Sequence, residues 1–196
     1  MARTSAERTR HQILDAAYES FYRRGFTRSS IDEIAAMSKV TKRTLYNHFD
    51  SKDTLLAAVL EMQRELSPGR VQKYQDRYAG NAERFVSVLF EELRAWSEKP
   101  RWAGSGITRL ALELADLPGH PARLVARRHK ASVQSWLTDM LKKAGTQRPS
   151  GKARELQLLI EGANILMLIS GDRTYADTAA ALAKRFVVGA RSPAKN

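Results

Sequence analysis

Residues 29–53 read SSIDEIAAMSKVTKRTLYNHFDSKD. The stretch divides into two short helices around a tight turn. Ser29 with Asp32, and Ser30 with Glu33, each fit a Ser-x-x-acid box that caps a helix start. Ile31, Ile34 and Ala35 then fall on one face at i, i+3, i+4 spacing, and Ala35 and Ala36 are small enough for another helix to approach closely. Val40 plugs the turn. Thr41 is placed to cap the second helix by accepting from the N–H of Arg43 or Thr44. Leu45 and Phe49, four apart, point inward, which leaves Lys42, Arg43, Tyr46, Asn47 and His48 on the outer surface. A helix pair with a basic and aromatic second member is the sequence form of a helix-turn-helix, whose second helix enters the DNA major groove. Cationic and polar side chains there supply phosphate contacts and base-edge hydrogen bonds.

Working outward, residues 5–24 carry an inward stripe of Ile13, Leu14, Ala17 and Phe21, stopped by Gly25. A fourth helix starts at Ser51, carries Leu55, Leu56, Val59 and Leu60, and is broken by Ser67-Pro68-Gly69. Helices then fit 70–78, 82–98, 103–117, 121–144, 152–170 and 173–189. Gly80-Asn81, Lys99-Pro100, Pro118-Gly119, a loop over 145–151 and Gly171-Asp172 separate them, and residues 191–196 read as a frayed tail. No alternating strand pattern and no internal repeat is visible.

Gly25-Phe26, Ser29-Ser30, Ile34-Ala35, Val40-Thr41, Thr44-Leu45-Tyr46-Asn47-His48-Phe49 and Ser51-Lys52 together resemble the N-terminal DNA-binding module of the tetracycline-repressor (TetR) family. The match runs over roughly residues 10–60; the Leu110–Asp116 stretch with His120-Pro121 is similar to one effector-domain subgroup. The resemblance implies an all-α chain. Residues 1–50 would form a three-helix DNA-binding module, and residues 51–196 a helical effector-binding and dimerisation domain. The candidate DNA-binding set is Ser29, Lys39, Thr41, Lys42, Arg43, Thr44, Tyr46, Asn47, His48 and Lys52. One departure stands out: the family usually has Ala-Gly in the turn, and this chain has Ser38-Lys39. A lysine held in the left-handed conformation costs on the order of 1 kcal/mol. Either the strain is tolerated, or Lys39 adds a phosphate contact.

The helices beyond residue 82 carry Phe90, Leu93, Trp96, Trp102, Ile107, Leu110, Trp136 and Met140. Such residues are core by default; the resemblance adds a second reading, in which they line an effector pocket between helices. Glu113 lies in an apolar segment and could meet a cationic or hydroxylated ligand, but the favoured readings leave it facing solvent or paired with Arg109 four residues earlier. In the last two helices Gly162, Ala163, Leu166, Ala179, Leu182, Ala183 and Phe186 make a small-residue surface suited to a homodimer interface, with packing inside one subunit as the alternative.

Of the 196 residues, 33 are Lys or Arg and 21 Asp or Glu, for a formal charge of +12. The excess sits away from the helix pair: residues 1–66 hold 11 basic and 9 acidic residues. It is densest over 119–154, where Arg123, Arg127 and Lys130 read chiefly as a solvated face. The chain has no cysteine, which excludes disulfides, thiolate metal sites and thiol chemistry. His11, His48, His120 and His129 lack metal-ligand spacing, and no nucleophile elbow appears. The 145–152 segment is a poor phosphate loop, lacking Ser or Thr after Lys152. No cofactor or metal is expected, and the polar N-terminus, with no apolar run of ~20 residues, points to the cytoplasm. The expected protein is a transcription regulator, a repressor released from a near-palindromic operator by a small hydrophobic or amphipathic effector. A ligand-independent DNA-binding or architectural protein, and a small helical-bundle enzyme, are the competing readings.

Overall fold

The computed structural model describes residues 4–65, 77–78 and 80–188; the expected break at 67–69, most of the expected 70–78 helix and the C-terminal tail lie outside them. The described residues contain helices and no strand. They are α1 (Ser5–Arg24), α2 (Ile31–Met37), α3 (Lys42–His48), α4 (Lys52–Glu65), α5 (Ala82–Ser97), α6 (Gly106–Glu113), α7 (Pro121–Lys143), α8 (Pro149–Ser170) and α9 (Thr174–Val188). No described helix is long and apolar enough to cross a membrane.

The chain packs as two units. The first comprises Met1–Leu66 and Ser105–His129, the second Ser67–Gly104 and Lys130–Asn196. These boundaries differ from a division at residue 50. Leu55, Leu56, Val59 and Leu60 of α4 are buried with Ile13, Ala17 and Phe21 of α1, so α4 shares the core of the helix-turn-helix. Burial of each such side chain contributes about 1.5–3 kcal/mol. Ile107, Leu110 and Leu114 join the same core, an association over about a hundred residues that no local periodicity reveals.

Within the first unit the entry into α2 is held from α6. The Phe26 N–H donates to Glu113 Oε2 at 2.5 Å, and an Arg109 Nη1 donates to the Tyr22 carbonyl at 3.1 Å. Gly25 precedes this contact at φ 84°, ψ 169°, a conformation essentially confined to glycine, and a Cβ there would run into the Glu113 carboxylate. Glu113, exposed at the end of α6, thus serves as a backbone anchor for the entry into α2.

In the second unit α9 packs on α5 and α8. Its core holds Phe85, Phe90, Leu137, Met140, Leu156 and Met167. Two helices depart from the sequence reading by three residues or more at a limit. The expected 103–117 helix is shortened to α6 because the Ser105 hydroxyl caps it, accepting from the Thr108 N–H, and successive turns replace it after Glu113. The expected 145–151 loop ends early, because Pro149, with its fixed φ, serves as the first residue of α8.

Candidate nucleic-acid interface

Each joint of the α2–α3 pair is built from short-range hydrogen bonds. The Ser30 hydroxyl caps α2 by accepting from the Glu33 N–H at 3.1 Å. The Glu33 side chain does not complete a capping box; it pairs with Arg24 Nε at 3.1 Å. At the other end, the Lys39 N–H donates to the Ala36 carbonyl at 3.1 Å and the Val40 N–H to the Ala35 carbonyl at 3.0 Å. These two bonds form the Schellman termination, which requires a left-handed residue between them. Lys39 is that residue, at φ 56°, and Val40 packs on the core beside it. The strain expected from the sequence is therefore present. Lys39→Gly is expected to raise the melting temperature slightly, by at most about 1 kcal/mol of stability, because relief of strain is offset by the entropy of an unfolded glycine. A thermal melt checks this, and a clear loss of stability would contradict it.

The α3 helix follows at once. Thr41 Oγ1 accepts from the Thr44 N–H at 3.0 Å, and the two hydroxyls lie 2.8 Å apart. Leu45 and Phe49 are buried, and the Arg10 guanidinium covers the Phe49 ring at 5.0 Å. With those two fixed inward, Lys42, Arg43, Tyr46 and Asn47 are exposed, and Thr44 and His48 are half-buried beside them. The structure thus brings most of the expected set onto α3 and the turn before it.

Two cations of the set are already engaged. Lys42 Nζ lies 2.9 Å from Asp32 Oδ1, and the hydrogen bond to this carboxylate raises the lysine pKa. A phosphate that takes Lys42 must displace Asp32, a competition the sequence did not announce. Lys52 is half-buried at the start of α4, with Nζ 4.2 Å from the centre of the Phe26 ring. Burial lowers its pKa. Ser29 requires correction. It is 3% exposed, accepting from Ser20 Oγ at 2.8 Å and donating to the Gly25 carbonyl at 2.8 Å, so it ties α1 to the α2 entry and presents nothing outward.

The other expected sites are divided. Phe90, Leu93, Trp102, Trp136 and Met140 belong to the core of the second unit, whereas Ile107 and Leu110 belong to that of the first. Trp96 meets Trp102 edge-on at 5.6 Å, and Arg173 lies over Trp102 at 4.6 Å. The buried Trp102 Nε1 has no acceptor among the described residues. On the last two helices Ala163, Ala179 and Ala183 are at most 5% exposed inside the second core, which corrects their expected place on an interface surface. Small residues let α8 and α9 approach other helices of the same unit. Leu166 and Leu182 are exposed, and Gly162 and Phe186 half-buried. A groove of about 470 Å³ runs between Glu155, Leu158 and Leu159 of α8 and Leu182, Arg185 and Phe186 of α9.

Residues 13–59 match the profile of the bacterial regulatory proteins, tetR family. The HTH-type transcriptional regulator TtgR of Pseudomonas putida is 40% identical over 60 residues, 31% of this chain and 29% of TtgR. The HTH-type transcriptional regulator AcrR of Shigella flexneri is 35% identical over 89 residues, 45% of this chain and 40% of AcrR. The chain therefore spans less than half the length of these curated relatives. SCO4454, a TetR-family transcriptional regulator from Streptomyces coelicolor, shares the fold over 92% of this chain and 94% of its own, with a TM-score of 0.81 at 23% identity.

Proposed function

We propose that this chain, which belongs to the tetR family of bacterial regulatory proteins, is a homodimeric transcription regulator that reads duplex DNA with α3 and releases it on binding a small molecule. The observation that carries the reading is the α3 surface. A Thr41-capped helix is locked inward by Leu45 and Phe49 and presents Lys42, Arg43, Tyr46 and Asn47 outward. Tyr46 and His48 serve mainly phosphates, and Lys42 and Arg43 phosphates or base edges.

Dimerisation follows from the small reach of one seven-residue helix, since useful specificity needs two half-sites. The exposed Leu158, Leu166 and Leu182 of α8 and α9, with the apolar groove between these helices, support an interface there. For the effector, support comes from the aromatic groups of the second unit: Phe85 edge-on to Trp136 at 5.6 Å, the Trp96–Trp102 pair, and an indole N–H without a protein acceptor among the described residues. A hydrophobic or amphipathic molecule carrying a hydrogen-bond acceptor suits such a lining. Release needs only that the effector bind one conformation of the dimer better than the DNA-bound one. The result is repression relieved by ligand.

Arg43→Ala tests the reading. Sequence preference is expected to relax at one base position of each half-site, by about 1–3 kcal/mol for a bidentate contact, with the melting temperature unchanged. Binding measured on a panel of single-base variants reads this out. A uniform loss across all positions would make Arg43 a phosphate contact.

A further inference from the structure

Arg23, Arg24 and Arg28 line a cleft of about 280 Å³ at the C-terminal end of α1. Their charges are incompletely balanced. Arg23 Nη2 lies 2.9 Å from Glu19, one turn back on the same helix, and Arg24 Nε lies 3.1 Å from Glu33. Arg28 Nε donates at 3.0 Å to the Arg24 carbonyl, a neutral acceptor. Among the described residues, three guanidiniums thus meet two carboxylates. The side chains of Arg23 and Arg24 are 57% and 59% exposed, and each guanidinium carries five N–H donors in a planar fork that matches phosphate oxygens.

The location matters as much as the charge. Arg28 stands two residues before Ser30, the cap of α2, and Arg24 is tied to Glu33 in the first turn of α2. In a helix-turn-helix the first helix of the pair crosses the DNA backbone while the second lies in the groove. We propose that Arg28, flanked by Arg23 and Arg24, binds a phosphodiester of duplex DNA outside the base pairs read by α3. The proposal rests on the DNA-binding reading above. A single free anion is the weaker fit, because the cleft offers it only exposed, hydrated cations. A polyanion gains affinity from such groups through counterion release.

The test uses the full chain and a duplex long enough to extend beyond both half-sites. Affinity is measured against salt concentration for the wild type, Arg28→Ala and Arg23→Ala. For Arg28→Ala the slope of log K against log salt should shrink by about 0.9, with affinity reduced about fivefold near 0.15 M salt, equally on preferred and scrambled duplexes. Arg23→Ala should change both in the same direction, and thermal melts of both variants should match the wild type. An unchanged slope and affinity in both variants, with a wild type that still discriminates sequences, would overturn this proposal alone. A wild type that binds no duplex would overturn the DNA-binding reading with it. Inorganic phosphate supplies the remaining arm, at fixed ionic strength and without DNA. If it stabilised the wild type but not Arg28→Ala, while the DNA slopes coincided, the cleft would be a free-anion site and the proposal would fail.

Discussion

Gly25→Ala is expected to destabilise the protein by about 3 kcal/mol, combining a forbidden backbone conformation with the displacement of a charged hydrogen-bond acceptor. For a chain of this size that lowers the melting temperature by roughly 6–12 °C. Both causes act at one point. A Cβ on Gly25 enters the space of the Glu113 carboxylate, and Glu113 holds the Phe26 N–H at 2.5 Å. A double-mutant cycle separates them. In a Glu113→Ala background the collision is gone and only the backbone cost at φ 84° remains, so the same glycine substitution should cost about 1–2 kcal/mol. Strict additivity would show that the carboxylate does not constrain the α2 entry.

If α8 and α9 form the proposed dimer interface, Leu182→Glu should give folded monomers and lower affinity for a two-half-site duplex by about two orders of magnitude or more, through loss of the second half-site and like-charge repulsion costing several kcal/mol. Leu182 is 43% exposed beside Phe186 and Leu158, so the carboxylate does not disturb the fold of one subunit. A two-fold contact repeats each residue across the axis, so the new charge meets its own copy. Ala183→Glu provides the contrast: at 0% exposure it buries an unpaired charge and should unfold the protein instead. Sedimentation measures both. An intact Leu182→Glu dimer with wild-type DNA affinity would place the interface on another surface.

What was legible in the sequence was what depends on residues close together in it. The limits of α1, the caps at Ser30 and Thr41, the inward pair Leu45 and Phe49, and the left-handed residue at position 39 all follow from spacing and side-chain type within a few residues. Contacts over long separations were not legible. Ser29 has the chemistry of a phosphate ligand, yet Ser20, nine residues back on α1, takes it. Ile107 and Leu110 resemble pocket residues of the distal helices, yet they pack with Ile13 and Leu60. Ala163, Ala179 and Ala183 signal close helix approach without saying which helix approaches, and the partner proved to lie in the same subunit. Glu113 was ambiguous for a related reason, because its hydrogen-bonding partner is 87 residues away. Gly25 carried a usable signal. A glycine before an aromatic residue at the end of a helix marks a special backbone conformation, although it does not reveal the acid that occupies the space.

In the proposed function α3 reads sequence as one of two symmetric copies. Selection of duplexes from a random pool by the full-length protein, followed by affinity measurement at fixed salt, tests it most directly. A near-palindrome should be enriched, with half-sites one helical turn or a multiple of it apart, and bound at least ~10³-fold more tightly than scrambled duplexes. Equal affinity for selected and random duplexes would contradict this reading.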